Sequence, residues 1–144
     1  MQIYDATKDL SESSDLYPGD PPTVFCRISD IELHDPFTLT SVSMGAHAGT
    51  HIDAPSHLIR GGITIDEIPL STLIGPVQVL TVTNQVDIQS LMPLNDYNVH
   101  RVLLKTEGSN GHLTADVAEW IIKQGVKLIG VDAVSVDPPG EKSL

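Results

Sequence analysis

The chain has 144 residues, enough for one ordinary domain, and 40% of them are hydrophobic, so a core can form. Eight basic residues face nineteen acidic ones, for a formal charge of -11. That balance repels a phosphate backbone and an anionic bilayer alike, which argues against nucleic acid and membrane as partners.

Cys26 is the only cysteine, so no disulfide can form within the chain, nor a zinc site that needs two cysteines. A packed position is expected for it. The opening Met1-Gln-Ile-Tyr-Asp-Ala-Thr-Lys-Asp-Leu10 lacks the basic-then-apolar layout of a signal peptide, and no apolar run approaches the ~18 residues of a membrane span. The expectation is a soluble, cytoplasmic protein in a reducing compartment.

In chain order, Leu16-Tyr-Pro-Gly-Asp-Pro-Pro22 reads as turns. Val24–Leu33 alternates loosely and suits a half-buried strand, and Thr38–Met44 a second strand paired to it as a hairpin. Pro76–Thr83 is the clearest strand pattern. Arg101–Lys105 reads as a buried strand. Thr114 is a good N-cap with Asp116 in the first turn, and Val117, Trp120, Ile121 and Gln124 follow at helical spacing up to a C-terminal stop at Gly125. Lys127–Asp132 is a last short, buried strand. Strand, helix and strand of these lengths make a βαβ crossover. The reading is a single mixed α/β domain over 1–144, antiparallel in its first half and parallel in its second.

The chemistry concentrates in Gly45-Ala-His-Ala-Gly-Thr-His-Ile-Asp-Ala-Pro-Ser-His57. His47, His51, Asp53 and His57 are separated by four, two and four positions, so an extended strand would send all four to one face. A straight strand would also spread them over about 33 Å. Gly49 and Pro55 permit a bent loop that gathers them instead. Imidazole with carboxylate suits zinc, manganese or iron(II), and two histidines plus one carboxylate leave coordination positions open for catalysis. His57 is placed to move protons. The ordinary alternative is a set of hydrogen-bonding histidines, and that reading is kept for His34, His100 and His112, which stand apart.

The segment His47-Ala-Gly-Thr-His-Ile-Asp-Ala-Pro-Ser-His57 resembles the His-x-Gly-Thr-His-x-Asp-x-Pro-x-His signature of the cyclase-like metal hydrolases, which include kynurenine formamidase and isatin hydrolase. Tyr17-Pro-Gly-Asp20 and Gly130-Val-Asp-Ala-Val-Ser-Val-Asp-Pro138 are similar to two further family segments. The resemblance implies a swivelling β/β/α domain that assembles as a homodimer or higher homo-oligomer. It makes His47, His51 and Asp53 ligands of one or two divalent ions, zinc or manganese, and His57 the general acid/base. Tyr17 falls where the family has a substrate-lining aromatic. The implied reaction is hydrolysis of a carbon–nitrogen bond in a small amide: an aryl-formamide such as N-formyl-kynurenine, or a cyclic amide such as isatin.

Family members continue past Ser-Val-Asp-Pro with another histidine and a glutamate that complete a second metal position, whereas this chain reaches Leu144 before either. The expected domain is therefore C-terminally short, with three ligands from one segment. Two other readings follow: a non-catalytic metal- or ligand-binding relative of the same fold, and a structural domain whose histidines ligate nothing. Asp132 and Asp137 are assigned structural roles.

Overall fold

In the computed structural model, which describes residues 4–12, 16–82, 86–92, 94, 99–107 and 112–137, the chain divides into two units, Met1–Asp53 and Ala54–Leu144. Thr83, at the end of one expected strand, and the stretch beyond Asp137 lie outside the described residues.

In the first unit, β1 (Val24–Ser29) pairs antiparallel with β2 (Leu39–Ser43), as the paired Val/Thr/Ser-rich runs imply. The first strand is shorter than its sequence pattern. Asp30 takes an extended conformation and its carboxylate accepts the Glu32 amide at 3.1 Å, capping a 3₁₀ turn at Ile31–Leu33. His34 then closes that turn in the left-handed region. Nor is the strand half-buried: five of its six residues are exposed, and all five of β2. Cys26 is correspondingly exposed rather than packed.

The second unit holds a parallel sheet in the order β3 (Gln78–Thr81), β4 (Arg101–Lys105), β5 (Leu128–Val131). Leu80, Val102 and Leu104 alternate onto one face. They form one core with Leu91 of α2 (Ile88–Leu91) and with Val117 and Ile121 of α3 (Ala115–Lys123). The helix α3 links β4 to β5 as the expected crossover. Thr114 is its N-cap residue but makes no capping bond, because its hydroxyl turns to the Asp116 carboxylate instead. Gly125 ends the helix with φ +79°, where an L side chain would be strained. β5 is half-buried rather than buried.

Two long-range ties hold this unit together. Arg101, only 8% exposed, donates to the carbonyls of Thr72 (2.8 Å), Pro76 (3.4 Å) and Ser71, anchoring the short helix α1 (Leu70–Leu73) to β4. Asp132 accepts the Thr106 amide at 2.8 Å and its hydroxyl at 2.6 Å, joining the ends of β4 and β5. The Thr106 hydroxyl is the main reason the Asp132 carboxyl sits below the usual carboxylate range, with desolvation opposing it. No helix among the described residues is long and apolar enough to cross a membrane.

Candidate metal centre

Between β2 and the end of the first unit the chain makes turns and bends instead of a strand. The Ala48 amide donates to the Gly45 carbonyl at 3.1 Å, and the Ala48 side chain is buried at 4% exposure. Gly49 follows with φ +69°, and a Cβ there would meet Leu10 Cδ1 at 3.2 Å. The Thr50 hydroxyl accepts the Lys8 amide at 3.0 Å, tying the loop to the N-terminal segment. A buried alanine, a left-handed glycine and a hooked threonine thus account for the residues lying between the two histidines.

The bend brings His47, His51 and Asp53 together, with one potential ligand atom from each within 4.8 Å of the others. Asp53 Oδ1 lies 2.8 Å from His47 Nδ1 and 3.6 Å from His51 Nε2, and the two ring nitrogens are 3.3 Å apart. Ligand bonds of about 2.0–2.1 Å at tetrahedral angles separate neighbouring donors by about 3.3 Å, a value the two ring nitrogens match and the two carboxylate distances bracket. The rings meet edge to face, with centroids 5.0 Å apart and planes at 80°.

The orientation of His51 is also set. Its Nδ1 is 2.9 Å from the Gly49 carbonyl, which can only accept, so that nitrogen carries the proton. A neutral ring then offers the Nε2 lone pair toward His47 and Asp53. Backbone support of this kind fixes the tautomer of a ligating histidine. The donor set and its spacing fit a divalent ion. The side chains of His47 and Asp53 are 31% and 51% exposed, so the cluster is open to solvent.

The other residues singled out by sequence are placed as follows. His57 lies in the second unit, at the end of a 3₁₀ turn over Pro55–His57. Tyr17 is 47% exposed at the first position of a turn closed by the Asp20 amide on the Tyr17 carbonyl at 3.0 Å, with Gly19 at φ +101°. Within the same unit that turn abuts the start of the ligand loop: a Cβ on Gly45 would lie 3.4 Å from Pro21 Cδ. His100 bonds the Gly125 carbonyl through Nδ1 at 2.9 Å, a structural contact. Sequence reasoning passed over Gly62, whose close approach to the His57 turn has only the Gly61-Gly62 pair as a signal.

Comparison with known proteins places the chain in a family. A family model described as Putative cyclase matches residues 4–138. Kynurenine formamidases of Bacillus cytotoxicus and Bacillus cereus are 32% and 33% identical over 152 aligned residues, covering 97% of this chain and 72% of theirs. The chain belongs to the cyclase family. A solved structure described as a potential metal-dependent hydrolase with cyclase activity matches at a TM-score of 0.76 and 26% identity, over 97% of this chain and 72% of that one. The mixed α/β architecture, antiparallel in one sheet and parallel in the other, is that of the cyclase-like fold. The relatives named here are hydrolases.

Proposed function

We propose that this cyclase-family protein is a metal-dependent hydrolase that cleaves the carbon–nitrogen bond of a small amide, an aryl-formamide such as N-formyl-kynurenine being the preferred class. The observation that carries the reading is the triangle of His47, His51 and Asp53 donor atoms, in a chain about one-third identical to kynurenine formamidases. A divalent ion, zinc or manganese, held by these three groups would supply a Lewis acid and an acidified water.

The remaining steps belong to the chain. His51, oriented by the Gly49 carbonyl, keeps its Nε2 on the ligand side. His57 takes a proton from the attacking water and returns it to the leaving nitrogen as the C–N bond breaks, so that water and formamide become formate and the free amine. Tyr17, with an exposed ring, is the candidate to cover an aromatic substrate. The proposal extends to assembly. Phe25, Ile28, Leu39 and Val42 are 37–59% exposed on β1 and β2, which supports a homodimer or higher homo-oligomer that covers them.

The test is turnover of N-formyl-kynurenine, simpler aryl-formamides and isatin by purified protein supplied with zinc or manganese. Release of formate, abolished in His57→Ala, supports the reading, and ring opening of isatin alone would move the substrate class to cyclic amides. Stoichiometric metal binding with no turnover on any of the panel would overturn catalysis in favour of a metal-binding relative.

A further inference from the structure

We infer that Gly62 is a positioning residue for His57, fixing the turn that carries the imidazole through direct backbone contact. The consequence for turnover rests on the proton-transfer role proposed above. The placement itself does not.

A Cβ at residue 62 would lie 2.8 Å from the Pro55 carbonyl carbon, 2.9 Å from its oxygen and 2.9 Å from the Ser56 nitrogen. All three atoms are main chain, so no side chain can swing aside. The segment around them is bonded back on itself. The Ser56 amide donates to the Ile63 carbonyl at 3.1 Å, and the Gly62 amide to the Ile59 carbonyl at 2.9 Å. The His57 amide donates to the Ala54 carbonyl at 2.9 Å, and the Ile59 amide to the Pro55 carbonyl at 2.9 Å. Pro55 adds a fixed φ at the first position of the turn.

Ordinary carbon contacts begin near 3.4 Å, so even a methyl group at 62 must push the Pro55–Ser56 peptide by about half an ångström. The bonded segment transmits that push to His57, one residue further on. A displacement of about 0.5 Å is the tolerance within which a catalytic group retains its function. Gly61 is a glycine for a different reason: its φ is +75° and nothing lies within 4 Å of its missing Cβ. Substitution there strains the backbone without pressing on the turn. The two adjacent glycines therefore separate displacement of His57 from plain loss of stability.

The experiment compares Gly62→Ala with Gly61→Ala and His57→Ala in the full chain, measuring bound zinc, kcat, KM, melting temperature and the imidazole ¹H–¹³C cross-peak assigned to His57. For Gly62→Ala we expect kcat to fall on the order of 10- to 100-fold, with KM and bound zinc unchanged and the cross-peak moved. For Gly61→Ala we expect a lower melting temperature with kcat and cross-peak as in the parent. If the two glycine variants behave alike, the inference is overturned. If His57→Ala keeps full turnover, the proton-transfer reading fails, and the cross-peak alone then decides whether Gly62 sets the imidazole position. Should Gly62→Ala not fold, amide exchange in the parent decides. Ser56 and Ile59 are expected to exchange slowly and together, and exchange at the rate of an open chain would overturn the inference.

Discussion

The first unit carries, among the described residues, the candidate metal cluster and almost nothing buried, and the second carries the core. Among the described residues, every buried apolar side chain except Ala48 lies between Leu80 and Ile121. The hairpin β1–β2 shows solvent its apolar residues, and a two-stranded hairpin alone is marginal in water. The ligand loop is instead shaped by main-chain hydrogen bonds, a left-handed glycine and one threonine hydroxyl. Packing dominates one unit, and backbone geometry shapes the candidate site in the other. Substitutions should therefore separate into those that unfold the protein and those that only empty the site.

The largest effect should come from the cluster itself. Asp53→Asn removes the carboxylate shared by both histidines and is expected to abolish stoichiometric zinc binding, read by elemental analysis, while circular dichroism stays that of the parent. Unfolding in that variant would break the contrast between the units. Leu104→Ala should do the converse. Leu104 is 1% exposed in the core, and the truncation should cost about 2–5 kcal/mol in a denaturant titration.

Next in size is Gly49→Ala. It places an L side chain at φ +69° against Leu10 and should cost about 1–2 kcal/mol. Its sharper readout is zinc affinity, which should fall because the Gly49 carbonyl that orients His51 shifts with the loop. Assembly offers an independent break in the comparison. Phe25→Asp with Val42→Asp is expected to convert an oligomer to monomer in sedimentation equilibrium. A parent that is already monomeric would remove that proposal.

The smallest effect concerns pH. The Asp132 carboxyl is held below its ordinary range chiefly by the Thr106 hydroxyl, so its contribution is present above the ordinary aspartate pKa of about 3.9. It is lost as pH falls through the lower folded value. The melting-temperature advantage of the parent over Thr106→Val should therefore hold at neutral pH and shrink below about pH 4. A constant difference down to pH 2 would sink this account.

Much of the fold could be read along the chain. Arg101–Lys105, the helix ending at Gly125 and the pairing of the first two strands are local patterns, and the structure contains each of them. The misreadings have local rivals too. The Asp30 carboxylate stopped a strand that alternation would have continued, whereas Thr114 is the N-cap residue its sequence implies, with its hydroxyl on the Asp116 carboxylate. Exposure on β1 is not written in its alternation, which reports which residues share a face and never whether anything covers it.

The sequence by itself determined which groups make up the candidate site. The run from His47 to Asp53 names two imidazoles and a carboxylate, the glycine that lets the loop bend, and the family to which the chain belongs. Tertiary structure alone decided how the donor atoms meet at 2.8–3.6 Å. It also decided that Arg101 would satisfy carbonyls 25 to 30 residues away, and that the backbone at Gly62 would press on Pro55. The physical reason is one of range. Dihedral preference, capping and periodicity act over a turn or two and are written in neighbouring letters. Close approach of main-chain atoms depends on how distant segments pack, and glycine records that approach only as a missing side chain.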